Sequence, residues 1–475
     1  MTVATSHELK RDSVSFLGSL YNSLAGQAPA YSIAGGAALI MGSAKAAAPL
    51  AMLITLLGVL AIVYSIFITA RRYPHAASFY AYVTNTINSK AGFFNGVIYT
   101  IFYSIVGVGS VAIAFAYLGV EGIYAVTGYQ INPFILLPIP VVLALIPAVL
   151  GIRPSIRTEA SLTSIEIVVL LIFVALTFIT NAGKLSVLPF TINGTYALNP
   201  LGALTALSGG LVFAITYFMG FEVSTQLSEE VKDPRRNVPA STLWATILMG
   251  ILYILVTYAI LVNIGYSQYS VENFVNEASG MGINPVYTLI AHYLGEPGLV
   301  LFAVSVMISV LGCYLATLNA TARMLYGMAR DGLLPTWLSH THPRYGSPHK
   351  ALYFSTVISV LTIVAAYSAS YLSGYTKPIE LTYNAMQYAY AIDSLYYVIS
   401  LILVAVGALT IVKLRGKVII AIGATLLAIT LYYSVVNLTL LYILLASIIL
   451  VIVIEYTALR DKLGKIKYSI CLNCN

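Results

Sequence analysis

Apolar stretches as long as a bilayer is thick recur along this chain. Ala48 to Ile68 and Val418 to Tyr433 contain no charged residue. A helix crossing the hydrocarbon core needs about 20 apolar residues, whereas a membrane β-barrel alternates apolar and polar residues over short strands. Continuous runs therefore predict helices. Composition agrees: 9% of the 475 residues are charged and 59% are hydrophobic, and the mean hydropathy is +0.89. Soluble proteins carry about 25% charged residues. Disordered, collagen-like and conventional soluble enzymes are excluded, and an all-α, multi-pass membrane protein is expected.

Twelve spans are predicted, centred on residues 16–41, 48–70, 93–119, 133–151, 160–182, 201–226, 240–264, 298–327, 351–371, 387–412, 417–434 and 437–458. Pro285 to Leu294 reads as a short re-entrant or interfacial helix. The first apolar stretch, Phe16 to Met41, is too long for the core of a secretory signal. Of the 24 Lys and Arg, this layout puts only Lys45, Lys184 and Lys377 in outer loops. The positive-inside rule then predicts both termini in the cytoplasm of a protein in the plasma membrane. The formal charge of +7 follows from that topology and from contact with anionic lipid. Nucleic acid is not needed to explain it.

Three cysteines cannot build a disulfide framework. Cys471 and Cys474 form a terminal C-x-x-C, but a metal site there would need two more ligands. No metal or cofactor is expected. His340, His342 and His349 share one loop and read as surface residues.

Two spans look built to break. The first contains Ser23 to Tyr31 with Gly26 and Pro29, then Gly35-Gly36; the sixth contains Gly209-Gly210, then Tyr217 to Glu222. Proline removes a backbone donor and glycine weakens a helix. In hydrocarbon, broken backbone is tolerated only inside protein or beside a cavity. Breaks five spans apart point to a substrate site between inverted repeats. The plainer alternative is glycines that let helices pack closely. Three acids also lie within spans, Glu166, Glu222 and Asp393. A charge at the bilayer centre costs about 2.5–3.5 kcal/mol on insertion scales, which marks such residues as functional candidates.

Two longer motifs carry a family resemblance. Phe218-Met-Gly-Phe-Glu222, continuing through Glu229-Glu-Val-Lys-Asp-Pro-Arg-Arg-Asn-Val-Pro239, is one. Arg323-Met-Leu-Tyr-Gly-Met-Ala-Arg-Asp-Gly-Leu-Leu-Pro335 is the other. Both resemble motifs of the amino acid–polyamine–organocation transporters, and the resemblance covers nearly the whole chain. Ile68 stands where the family often has glutamate, and Gln27-Ala-Pro-Ala30 replaces its common G-x-G-I-F.

The resemblance implies a leucine-transporter-type fold with two five-helix inverted repeats. These would cover residues 14–182 and 201–412, followed by two further helices over 416–459. Residues 1–13 and 460–475 would be cytoplasmic tails. It implies alternating-access transport of amino acids, with polyamines or other organic cations as the alternative. A transporter-like sensor is a third reading. An enzyme is not expected, because the spans show no clustered catalytic residues.

A zwitterion needs donors for its carboxylate and acceptors for its ammonium. Half-helix ends offer both. The substrate carboxylate is expected at the amides of Gln27, Ala28 and Ala30. By the resemblance, the ammonium falls near carbonyls of Ala25, Thr216, Tyr217 and Met219. Gly26 and Gly220 complete the breaks, and Tyr217, Phe218 and Phe221 are expected to cap the site. Glu166 falls where some proton-coupled relatives carry lysine, and is a candidate proton carrier. Thr317 is the candidate for a sodium site, which the family places between helices one and eight. Glu222 is expected to be structural or gating, and is a further ion-coupling candidate. Asp393 is either a packing residue or a pathway acid that selects a cationic side chain. Glu229, Glu230, Lys232, Asp233, Arg235 and Arg236 are expected to form ion pairs with Arg323, Arg330 and Asp331 near an inner gate.

Overall fold

The computed structural model describes residues 8–279, 284–457 and 460–463. It is helical almost throughout. The helices are α1 (Phe16–Gln27), α2 (Pro29–Ala44), α3 (Ala48–Arg72), α4 (Ser78–Thr86), α5 (Ser89–Val97), α6 (Val106–Thr127), α7 (Pro138–Val149) and α8 (Ile152–Thr180). They continue as α9 (Pro200–Ala214), α10 (Pro234–Ile264), α11 (Gln268–Ser279), α12 (Pro285–Arg330), α13 (His349–Leu372), α14 (Pro378–Leu409), α15 (Leu414–Val435) and α16 (Leu438–Thr457). Proline opens α2, α7, α9, α10, α12 and α14. Its missing N–H is an orphan at that position in any case. Ser15, Asn199 and Asn284 cap α1, α9 and α12 by accepting from backbone amides.

Among the described residues, ten helical stretches are long and apolar enough to cross a membrane, and Pro133–Val149 is a shorter apolar one. The first stretch, Phe16–Arg72, runs for 57 residues. At 1.5 Å per residue it is far longer than one crossing needs, and Ala28 and the 3₁₀ turn Lys45–Ala47 interrupt it. Apolar side chains cover the outside, with Val142, Ile146, Val168, Val357 and Leu361 all exposed. That is the surface of a protein whose solvent is lipid.

Two interruptions depart from the glycines expected to cause them, and a third does not. The first break falls at Ala28, in the left-handed region at φ 46°, while Gly35 and Gly36 remain helical within α2. Pro29 explains its place, since it starts a new helix and cannot donate back to the old one. In the sixth span the helix holds through Gly209-Gly210, where Gly210 lets α9 pack on Ala44, and gives way at Ile215 to short 3₁₀ turns on either side of Gly220. In α12, Gly295 at φ 63° separates the short helix beginning at Pro285 from the long one after it, as the sequence suggests.

The chain from residue 8 onward is not a loose tail. Leu9 is buried with Ala76 and Tyr326, and Val14 pairs in parallel with Val231, taking an amide hydrogen bond from Lys232. Cys471, Cys474 and the rest of the expected C-terminal tail beyond residue 463 lie outside the described residues.

Candidate substrate-binding site

The two breaks touch. A Cβ on Gly26 would lie 2.6 Å from the Gly220 carbonyl oxygen, and one on Gly220, at φ 93°, would overlap the Gly26 carbonyl. Only glycine permits this approach of backbone to backbone. Around the contact lies a cavity of about 50 Å³. Gly26, Gln27, Ala28, Thr216, Met219 and Gly220 come from the breaks, and Tyr103, Ser110, Thr317, Tyr390 and Asp393 from α6, α12, α14 and the turn before α6. It is room for a few waters. A larger vestibule of about 280 Å³ shares Tyr31, Ser32, Thr216, Met219 and Tyr390 with it.

Two of the amides expected to hold a substrate carboxylate, those of Ala28 and Ala30, are taken by the protein itself. Ala28 N donates to the Ala25 carbonyl at 3.1 Å. Ala30 N donates to Glu166 Oε2 at 3.1 Å, and Tyr31 N to Ser309 Oγ at 3.2 Å. The N-terminus of α2 is the positive end of a helix dipole, and the Glu166 carboxyl sits against it. Glu166 is 1% exposed; it is not solvated at a helix end.

Two of the expected carbonyls, and others beside them, are likewise engaged. Ala25 O accepts from Ala28 N and Thr216 O from Met219 N, while Gln27 O accepts from Ser32 Oγ and Tyr253 Oη. Cys313 Sγ lies 3.3 Å from the Gly26 carbonyl.

The expected aromatic cap is only partly present. Tyr217 lines the vestibule and packs edge-on against Tyr253. Phe218 and Phe221 are 1% exposed but line neither cavity, because the 3₁₀ turns aim them into the core.

Glu222 sits beneath the cavity, fully buried. Its Oε1 accepts from Tyr99 at 2.9 Å and Tyr103 at 3.1 Å; its Oε2 accepts from Tyr397 at 3.0 Å and from Gly220 N at 3.1 Å. Four donors satisfy the carboxyl. Two of them come from a π-helical turn, Ile98–Ile105, a geometry common at functional sites. Asp393 faces the cavity and accepts from Ser110 Oγ at 2.7 Å. It is the one charged residue lining that cavity, and no Lys or Arg lines it. Thr317 is close by, with its Oγ1 4.0 Å from Cys313 Sγ.

Below this level lies a polar layer. Glu159, fully buried, accepts from Asn22 at 2.9 Å and Asn319 at 3.3 Å. Arg323 pairs with Glu230 at 2.8 Å, with the Arg323 side chain 0% exposed. Arg330 donates to Glu229 at 2.6 Å and contacts His75 at 2.9 Å. Three acids of the expected ionic cluster, Glu229, Glu230 and Asp331, thus pair with Arg323 and Arg330. Burial would raise the Glu229 carboxyl, but hydrogen bonds from Arg330 and the charges of His75 and Arg330 outweigh it and hold it at about 2. His342 and His349 have rings 5.4 Å apart; among the described residues no group of three His, Cys, Asp or Glu could hold a metal ion.

The model of the amino acid permease family matches residues 20–467. The chain belongs to the amino acid permease family. It is 25% identical to the methylthioribose transporter of Bacillus subtilis over 47% of this chain and 44% of that one. To the branched-chain amino acid permease of the same organism it is 24% identical, over 45% and 41%. To the vacuolar cationic amino acid transporter 4 of Arabidopsis thaliana it is 27% identical, over 46% and 33%. The matches thus span about half, or less, of these relatives' lengths. Among solved structures, a manganese transporter from Eremococcus coleocola superposes with a TM-score of 0.58 at 14% identity, covering 94% of this chain and 93% of that one. MhsT in complex with L-phenylalanine gives 0.57 at 14% identity, covering 88% and 98%. These likenesses show the fold, a leucine-transporter-type arrangement.

Proposed function

We propose that this permease is a secondary active transporter that moves amino acids across the plasma membrane by alternating access. The observation that carries this reading is the contact of two interrupted helices at Gly26 and Gly220 beside a small cavity lined by Thr216, Tyr390 and Asp393. We read twelve spans: the 57-residue stretch divides at Lys45–Ala47, and Pro133–Val149 counts as one. Both termini lie in the cytoplasm. The vestibule is the outer approach, and the layers of Glu222, Glu159 and Arg323 close the inner side. The protein is not an enzyme.

Proton coupling follows from the place of Glu166. As a carboxylate it holds the Ala30 amide, the position a substrate carboxylate needs. A proton on Glu166 removes the competing charge and frees the dipole of α2 for the substrate. Proton and amino acid then bind together, which is symport. Thr317 with the first break is the weaker alternative, a sodium site. Glu222 with its tyrosines acts as the inner gate. A second reading has its own support: Asp393, without a counter-cation in the cavity, favours a substrate with a cationic side chain or a polyamine.

The test is uptake of labelled amino acids and amines into proteoliposomes containing the purified protein, with and without an inward proton gradient. The proposal expects concentrative uptake of at least one amino acid that collapses when the gradient is dissipated. Binding without uptake, under every gradient, would instead identify a sensor.

A further inference from the structure

A second site lies away from the transport route, where the ends of α3 and α10 face the link between α14 and α15. Here a groove of about 1560 Å³ is lined by Arg71, Arg72, Arg235, Arg236, Lys413 and Arg415, with Asp233 as its one acid. Six cations thus converge on one carboxylate. Arg323, Arg330, Lys45 and Lys377 each have a carboxylate partner within 4.0 Å. Arg71, Arg236, Lys413 and Arg415 are exposed, and none takes part in the described ion pairs. The positive-inside rule explains cations near this face, but not their convergence on one concavity.

The rest of the lining says what kind of anion fits. Tyr64, Phe67, Ile68, Ile411 and Val412 form an apolar wall, and Leu414 at its edge is 77% exposed. The groove therefore opens sideways onto the apolar surface as well as toward water. Its ligand should carry a phosphate and an acyl chain on one molecule. We propose that the groove is a binding site for the headgroup of an anionic phospholipid, with the phosphate between the arginines and the first acyl carbons against Phe67 and Leu414. Basic pockets between helices at a membrane surface recognise lipid headgroups in this way. One wall comes from α3 and α10, the other from the α14–α15 link, so a bound headgroup would tie them together.

The full chain, purified in neutral detergent, is titrated with phosphatidylglycerol, phosphatidylcholine or glycerol 3-phosphate, and its thermal unfolding is followed. Ligand bound only by the native state raises the unfolding temperature. The expected result is a saturable rise with phosphatidylglycerol alone. Arg236→Gln/Arg415→Gln should need about 30-fold more of that lipid for half the rise, from two basic contacts of the magnitude usual near anionic lipid. Arg157→Gln/Lys184→Gln, which removes two exposed cations elsewhere, should respond as the unaltered protein does. Lys413→Gln alone should give a step of about fivefold and serves if the double variant is unstable. An equal rise with glycerol 3-phosphate would show a soluble phosphoryl ligand and overturn the lipid assignment. An unchanged titration in the groove variants, or equal weakening in both doubles, would overturn the site.

Discussion

Glu166 shows why a buried charge is both legible and ambiguous. A carboxyl in an apolar span stands out in sequence because insertion penalises it, and the same logic singles out Glu222 and Asp393. Its partner does not stand out. The Ala30 amide meets Glu166 only when α2 and α8 pack together. The tyrosines around Glu222 were equally hidden, since the chain has 36 tyrosines and nothing local marks Tyr99, Tyr103 and Tyr397. Glu159 carries no such mark, because it lies at the edge of a predicted span. Glu166→Gln is expected to reduce uptake under an inward proton gradient to the level seen without one, while amino acid binding persists and loses its dependence on pH. Full stimulation by the gradient in that variant would remove Glu166 from the coupling. Asp393→Asn should weaken binding of a cationic substrate by about 30-fold, roughly 2 kcal/mol for an unpaired buried charge contact, and leave a neutral amino acid nearly unaffected; competition against labelled substrate measures both. Glu229 gives a pH prediction. Its folded value of about 2 lies below the ordinary 4.5, so its stabilisation is present above about 4.5 and lost as pH falls toward 2. Glu229→Gln should lower the unfolding temperature at neutral pH and flatten that acid decline.

At the scale of elements, proline and glycine foretold that two helices break but not where. Pro29 set the first break one residue ahead of itself, at Ala28. The glycine pairs Gly35-Gly36 and Gly209-Gly210 stayed helical because each provides space for a neighbour. Gly36 admits the Tyr217 ring and Gly210 admits Ala44. The glycines that matter for the break are Gly26 and Gly220. Gly26→Ala must force a methyl against the Gly220 backbone at 2.6 Å, and overpacking of this kind costs about 1–3 kcal/mol. Gly35→Ala meets nothing closer than the Tyr31 ring at 3.6 Å and adds about 0.5–1 kcal/mol of helix stability. Thermal unfolding of the two variants should therefore move in opposite directions, and uptake should fail in the first and survive in the second. Equal effects would mean that the breaks do not need their close contact.

For the whole molecule, hydropathy and the two long motifs carried the architecture. The helical class and the membrane habit were legible because bilayer thickness imposes them, and the family because its loop motifs are long. The occupancy of the site's amides was not legible. Whether a cavity stands open or its amides are taken by a protein carboxylate depends on the relative placement of helices, which no local pattern records. The proposed topology can be read by labelling. With Cys471 and Cys474 replaced, a cysteine at Lys377 should react with an impermeant maleimide on intact cells, and one at Lys413 should react only after the membrane is opened. The claim beneath all of this is that the substrate sits between the two interrupted helices. A structure of the protein saturated with the amino acid it transports tests it most directly. The account predicts the substrate's carboxylate and ammonium within hydrogen-bond distance of backbone at residues 26–30 and 216–220, with Glu166 withdrawn from the Ala30 amide. Substrate bound elsewhere, with the Glu166–Ala30 hydrogen bond intact and the central cavity filled only by water, would contradict it.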